Sequence, residues 1–354
     1  MHMQTLQKPT NTTEINTETA NMTQQTSAMR TPNLDAIRAA LPFCLTHTNF
    51  TFGKKYQGKV RDTYDLGDKL ILVTTDRQSA FDRLIASVPY KGQVLNLTSA
   101  WWFEETQSIV PNHLIAVPDA NVMIAKKCSV FPIEFVVRAY ITGTTNTALW
   151  TQYQKGVRHY CGIQFPEGMR KNQRLAAPVL TPTTKDKDHD RPISPSEIVS
   201  EGWMTAADWD EASSAALKLF QHGAKIAAQH GLILVDTKYE FGRDADGRIM
   251  IVDEIHTPDS SRYWLANSYE ECFAAGKEPE NIDKEFLRLW FAEHCDPYND
   301  KILPPAPEEL IVTLASRYIQ LYEMITGRTF AYATTMQPGP IEQRIMRNIA
   351  GYLG

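Results

Sequence analysis

The chain has 354 residues, 36 basic and 41 acidic, with a formal net charge of −5 and 43% hydrophobic residues. Its charges are spread without long blocks, so nothing resembles the basic footprint of a nucleic-acid binder. No apolar run approaches the ~18 residues of a spanning helix, so no membrane partner is expected. The length suffices for a substantial core and favours two lobes.

The five cysteines, Cys44, Cys128, Cys161, Cys272 and Cys295, are odd in number, scattered and without a C-x-x-C pair. That usage suits reduced thiols in a cytoplasmic enzyme.

Residues 1–33 are rich in Thr, Asn and Gln and poor in large apolar side chains, the composition of a disordered tail. They carry neither an apolar signal core nor an Arg-rich transit pattern. A short amphipathic helix is expected over Leu34–Leu41. Gly58 to Asp82, GKVRDTYDLGDKLILVTTDRQSAFD, then reads as strand, turn at Gly67-Asp68, and strand. Lys59 and Arg61 share a face of the first strand. The spacing is not that of a Walker A loop, so the pair is either an exposed hairpin feature or a phosphate contact beside a permissive glycine. The polar cluster Asp76–Asp82 follows an apolar strand directly, as a capping turn or as a site loop on a strand end.

Gln93 to Ser108 reads as a helix with Trp101, Trp102 and Phe103 in the core. Val130 to Thr144, VFPIEFVVRAYITGT, reads as a mostly apolar strand that abruptly places Arg138 ahead of Gly143-Thr144. A buried Arg must meet an anion: an internal carboxylate, or a phosphate to which the turn adds a hydroxyl and a backbone N–H. Thr181–Asp190, TPTTKDKDHD, is an unperiodic loop, expected to be mobile, whose Lys185, His189 and Asp190 are either solvated or turned toward a zwitterionic substrate. A helix starting at Thr205 has Asp208 in capping-box position, a core face of Ala212, Ala216, Leu219, Phe220 and Ile226, and a stop at Gly231.

That helix delivers the chain into GLILVDTKYEFG, Gly231–Gly242, whose return is RIMIVDEIHTPDSSRYW, Arg248–Trp264. Two antiparallel strands joined at Asp244–Gly247 are expected. Alternation puts Asp236, Lys238 and Glu240 on one face, with Val235, Thr237, Tyr239 and Phe241 on the other. If Arg243 faces Arg248, Lys238 faces Asp253, with Asp253 diagonal to Glu240. Charges emerging from the end of a buried strand need partners, and two carboxylates beside a Lys suit Mg²⁺ with phosphate. Further helices are expected over Asp283–Glu293, Glu308–Ile325 and Gly339–Tyr352.

Together the motifs GKVRDTYD, TTDRQSAFD, PIEFVVRAYITGT, TPTTKDKDHD, LVDTKYEFG and VDEIHTPDSSRYW resemble, in order, those of the SAICAR synthetase (phosphoribosylaminoimidazole-succinocarboxamide synthase) family. The resemblance implies an α+β fold. Its antiparallel N-terminal sheet lobe, residues 34–135, would be similar to that of protein kinases and bind ATP; residues 136–354 would form a larger α/β lobe for substrate and metal, with C-terminal helices. It implies an ADP-forming ligase that joins CAIR, a phosphorylated aminoimidazole ribonucleotide, to L-aspartate, with ATP and Mg²⁺. By that resemblance Lys59 and Arg61 bind ATP phosphates, and the segment from Lys126 to Phe131 passes the adenine. Arg138, Thr144 and Arg262 hold the 5′-phosphate, and Glu240 and Asp253 bind Mg²⁺ beside Lys238 and Asp236. Ser79, Lys185 and Asp190 serve the imidazole or aspartate subsites. Thr144 departs from the family's usual Ser but keeps the hydroxyl.

Other readings are a kinase-like phosphotransferase, against which stands the lack of H-R-D and D-F-G motifs, and a nucleotide sensor, which needs no metal carboxylates. A monomer or small homo-oligomer is expected.

Overall fold

A computed structural model of the chain describes residues 31–81, 83–185, 190–282, 284–332 and 341–353. Most of the expected tail, and residues 186–189 of the expected mobile loop, lie outside the described residues.

Helix α1 (Leu34–Ala40) is capped by Asn33, whose Oδ1 accepts from the Ala36 amide. The first sheet comprises β1 (Lys54–Gln57), β2 (Arg61–Asp65) and β3 (Lys69–Thr74). After the hairpin β4 (Arg77–Ala80) and β5 (Arg83–Ser87) and helix α2 (Lys91–Thr106), it is completed by β6 (Leu114–Asp119) and β7 (Val122–Lys126). Its order is β1-β2-β3-β7-β6, antiparallel throughout. The β2–β3 turn falls at Gly67, as its composition predicts, with φ +104° and Asp65 accepting from its amide.

Period-2 alternation divides this sheet's side chains between two cores. Leu72, Met123 and Ala125 join Trp102 and Phe103 of α2 on one face. Tyr64, Ile71, Val73, Val122 and Ile124 line the other, which Ile345 and Ile349 of the C-terminal helix cover.

The second sheet is formed from β8 (Ser129–Val130), β9 (Ile133–Ile141), β12 (Gln173–Leu180), β13 (Thr183–Thr184), β14 (Leu232–Arg243), β15 (Ile249–Val252) and β16 (Ser261–Leu265). Helix α3 (Leu149–Gln154) and the small hairpin β10 (His159–Tyr160) and β11 (Ile163–Gln164) lie between β9 and β12 in the chain, and α4 (Pro195–Ser200) and α5 (Ala206–Gln229) precede β14. Helices α6 (Ala266–Ala274), α7 (Glu285–His294), α8 (Glu308–Thr326) and α9 (Ile341–Ile349) follow. Thr205 caps α5 by accepting from the Asp208 amide, and Gly231 ends it at φ +72°. Ala212, Ala216, Leu219 and Phe220 of α5 pack in one core with Leu234, Tyr239 and Phe241 of β14. Among the described residues no helix is long and apolar enough to cross a membrane.

Helix α9 is fixed by an electrostatic fork. Arg344 donates from Nε and NH2 to the two oxygens of Asp119, each at 2.9 Å, and from NH2 to Asn121 at 2.6 Å. The Asp119 side chain is 1% exposed, so the pair is buried.

Strand β14 changes sides partway. Leu232 and Leu234 face the main core while Val235 packs on the opposite side with Tyr140, Trp264 and Tyr269. Pairing with β16 shifts between Leu234 and Asp236, and beyond it the odd-numbered Tyr239 and Phe241 are in the main core. The extra residue of this bulge reverses the alternation. Val235 therefore does not share a face with Tyr239 and Phe241, as unbroken alternation would have it.

Candidate active site

The bulge turns Asp236, Lys238 and Glu240 onto one face, and β9 brings its own charges alongside. Asp236 is paired with Arg138 and Lys238 with Val136, so Glu134 and Arg138 share the face.

The expected hairpin register is off by one residue. Arg243 pairs with Ile249, not Arg248, and Glu240 with Val252. The reason lies in the turn: Asp244 Oδ1 accepts from the amides of Asp246 and Arg248, making Arg248 a loop residue. The return is also two strands, not one. β15 stops at Val252, Asp253 takes φ +65°, and β16 resumes the same edge of β14 at Ser261. The intervening residues leave the sheet edge beside Lys238, whose amide donates to the Ser260 carbonyl at 3.2 Å.

Two arginines converge on one carboxylate. Arg138 NH1 lies 3.5 Å from Asp236 Oδ2, and Arg262 NH1 donates to the same oxygen. Arg138 Nε donates to Thr181 Oγ1 at 2.8 Å. Arg262 NH2 reaches Glu285 Oε2 at 3.4 Å, and the Thr144 hydroxyl donates to Glu285 Oε1 at 2.8 Å. Gly143 holds φ +102° where a Cβ would lie 2.7 Å from that of Ala148, so the turn before Thr144 requires glycine. A small pocket at this turn is lined by Thr144, Lys171, Arg262 and Glu285 among others.

Further along the face, Lys238 Nζ contacts Glu134 Oε1 at 2.7 Å and Lys185 Nζ contacts Glu240 Oε2 at 2.6 Å. Arg61 donates to Asp253 at 2.5 Å and lies 3.3 Å from Glu254. Burial, then the Asp253 charge, raises the Glu240 carboxyl above its usual range. Burial would also raise Asp253, but Arg61, Lys238 and Lys185 together hold it below. Burial opposes the Lys238 charge, and Glu134 and Glu240 outweigh it, raising that ammonium.

The loop carrying Asp253 is anchored in the core. His256, at φ +51° and fully buried, meets the Tyr239 hydroxyl through Nε2 and accepts the Tyr263 hydroxyl on its carbonyl. Its ring lies over α5 at Gly223, where a Cβ would come within 1.9 Å of Cε1. Asp259, in the same loop, takes Lys91 at 3.2 Å, Lys284 at 3.0 Å and the Tyr318 hydroxyl at 3.1 Å. Burial would raise the Asp259 carboxyl, but Lys284 and Lys91 hold it well below the usual range.

The structure thus brings together Asp236, Arg138, Arg262 and, through Glu285, Thr144. A second group joins Lys238, Glu240 and Lys185, and a third pairs Arg61 with Asp253. Lys59 is exposed ahead of β2, with its carbonyl accepting from Arg77 Nε at 3.2 Å. Lys126 ends β7 opposite Lys69. Ser79 lies on β4 next to Gln78, which reaches Asp259, and Asp190 is exposed at the far side of residues 186–189.

Sequence reasoning missed Glu134, Glu254, Asp259, Lys91 and Glu285. Glu134 was within reach, since a glutamate four residues before Arg138 in an apolar strand shares its face. Lys91 and Glu285 lie on helices remote in sequence and gave no such signal. Among the described residues no three His, Cys, Asp or Glu side chains are grouped as a metal cluster.

The SAICAR synthetase family model matches residues 54–305. A phosphoribosylaminoimidazole-succinocarboxamide synthase of Legionella pneumophila (strain Paris) is 76% identical over 314 residues, covering 89% of this chain and 100% of its own length. The chloroplastic synthase of Arabidopsis thaliana is 61% identical, covering 89% of this chain and 77% of that protein. Among solved structures, the SAICAR-synthase of Saccharomyces cerevisiae complexed with SAICAR aligns with TM-score 0.69 and 30% identity, over 81% of this chain and 99% of that one. A SAICAR synthetase in complex with ADP aligns with TM-score 0.61 and 25% identity, over 78% of this chain and 100% of that one. The fold is therefore that of a ligase with an α+β architecture. The chain belongs to the SAICAR synthetase family.

Proposed function

We propose that the chain condenses CAIR with L-aspartate at the expense of ATP, giving SAICAR, ADP and phosphate, as a ligase of de novo purine biosynthesis. The observation that carries this reading is the row of charge along β9 and β14. Arginines converge at one end on Asp236, and a Lys beside buried carboxylates stands at the other.

In this reading Arg138, Arg262 and the Thr144 hydroxyl bind the ribonucleotide 5′-phosphate, with guanidinium forks matched to phosphate oxygens. Lys59 and Arg61 bind ATP phosphates, and the segment Lys126–Phe131 passes the adenine. Ser79, Lys185 and Asp190 face the imidazole and the incoming aspartate. Glu240 and Asp253 fit a divalent cation, because burial and mutual repulsion raise the Glu240 carboxyl and a cation relieves both. Mg²⁺ held there supplies neutralising charge to the transferring phosphoryl group.

A carboxylate is a poor electrophile. The CAIR carboxylate oxygen therefore attacks the γ-phosphorus, ADP leaves, and the aspartate amine displaces phosphate from the resulting acyl phosphate. Lys238 and Arg61 hold charge steady where it builds. Asp236 accepts the amine proton once the substrate phosphate has drawn its two arginines away. We place the protein in the cytoplasm, as a monomer or small homo-oligomer.

The test is ADP release by the purified protein with Mg·ATP and CAIR, with and without L-aspartate, alongside detection of SAICAR. ADP and SAICAR appearing together only in the complete mixture support the reading. ADP without aspartate points to an uncoupled or kinase-like phosphotransferase, and ATP binding without turnover sinks the ligase assignment.

A further inference from the structure

The donors assigned to the substrate phosphate already hold an anion of the protein's own. Glu285, the first residue of α7 and 8% exposed, takes the Thr144 hydroxyl on one carboxylate oxygen and Arg262 NH2 on the other. These are a phosphate subsite's contacts made by a carboxylate. The same carboxylate has a partner outside the turn: Arg288, one helical turn on, donates from NH1 to Glu285 Oε2 at 3.2 Å. The Arg288 Nε is buried and makes no hydrogen bond among the described residues, so that guanidinium keeps a donor in reserve for a carboxylate that shifts toward it.

We propose that Glu285 is a specificity-determining residue of the anion subsite: a resident carboxylate that a phosphate ester displaces toward Arg288 and that small carboxylates cannot. The proposal rests on the reading of Arg262 and Thr144 as phosphate donors. An incoming monocarboxylate exchanges like for like at Arg262 and Thr144, and gains nothing for the binding entropy it loses. A phosphate dianion brings more charge and three acceptor oxygens, and Arg138 lies close enough on the other side of Asp236 to add a second guanidinium. Discrimination by an internal competitor keeps carboxylate substrates such as L-aspartate out of the nucleotide's phosphate position. Specificity of this kind comes from penalising the wrong ligand.

The experiment measures inhibition at varied CAIR, at constant ionic strength, with ribose 5-phosphate and sodium acetate as probes. In the unaltered protein ribose 5-phosphate is expected to compete with CAIR and acetate is not. In Glu285→Gln, which keeps the size and an acceptor for Thr144, ribose 5-phosphate is expected to bind on the order of tenfold more tightly and acetate to become competitive with CAIR. Inhibition patterns identical to those of the unaltered protein overturn the proposal. Arg288→Gln supplies a second arm should the first variant not fold. It removes the partner to which Glu285 withdraws, so ribose 5-phosphate is expected to weaken while acetate stays excluded, and an unchanged inhibition constant overturns the proposal. The underlying subsite is tested apart by Arg262→Gln. If that change leaves the KM for CAIR where it was, and ribose 5-phosphate never competes with CAIR, the phosphate reading itself falls.

Discussion

Asp236 on β14 and Arg138 on β9 are cross-strand partners, and the carboxylate between their strands is shared with Arg262 from β16. Three adjacent strands thus each give one charge to a single point, where two cations face one anion. Removing the anion takes the carboxylate from the nearly buried Arg138 and leaves Arg262 to Glu285. Asp236→Asn is expected to cost about 3 kcal/mol of stability, read by urea unfolding, and to abolish most turnover. Full turnover in a folded variant would end the proposal that Asp236 accepts the amine proton.

Glu240 behaves differently because its charge is a burden in the folded chain. Its carboxyl is raised by burial and by Asp253, so the folded state favours the protonated form. Stability from this group is present below the unfolded carboxylate range and is lost as pH rises through the raised folded value. Glu240→Gln is expected to leave thermal stability at neutral pH without Mg²⁺ unchanged or higher, despite losing the Lys185 contact. Turnover is expected to fall by two orders of magnitude or more, with a higher Mg²⁺ requirement. A large drop in melting temperature would contradict this.

Gly223 is remote from the charged face but bears on it through His256. A Cβ there would come within 1.9 Å of the imidazole Cε1, so the ring and the loop that carries Asp253 must shift. Gly223→Ala is expected to destabilise by about 1–3 kcal/mol and to raise the Mg²⁺ concentration for half-maximal activity. Unaltered Mg²⁺ dependence would show the loop to be indifferent to that packing.

His256 also sets an acid limb. Burial, with His222 nearby, pushes its imidazole down to about 3, below the unfolded range near 6.5. The folded state keeps it neutral, so its contribution is complete above the unfolded value and is lost as pH falls from ~6.5 toward the folded value. Across that window each pH unit costs about 1.4 kcal/mol. His256→Gln is expected to flatten the dependence of unfolding free energy on pH between 6.5 and 4 by roughly one proton. An unchanged slope would mean that the imidazole is protonated in the fold.

The α5 helix was legible because cap, apolar face and terminal glycine agree, and the β2–β3 turn because Gly67 and Asp68 fit only a turn. The motifs carried the family, and the charged triplet of β14 announced the charged face. What alternation could not supply was the break in its own pattern. The Val235 bulge and the Asp253 reversal depend on β16 returning to an edge that β15 has left, a tertiary constraint with no local signature. Arg248 misled for a related reason: it looked like a strand residue but serves Asp244 in the turn. Glu285 and Asp259 were invisible because their partners come from elements far away in the chain.

The Arg344–Asp119 fork gives the first sheet a place in the timetable of synthesis. Strands β2, β3 and β7 leave the ribosome long before α9 does, yet Ile345 and Ile349, together with Leu45 and Phe50, share one core with Ile71, Val73, Val122 and Ile124. A nascent chain halted ahead of residue 341 therefore presents that greasy face to its surroundings. It should bind a hydrophobic dye that a chain carrying α9 excludes, which makes the docking of α9 the step that closes this face of the sheet.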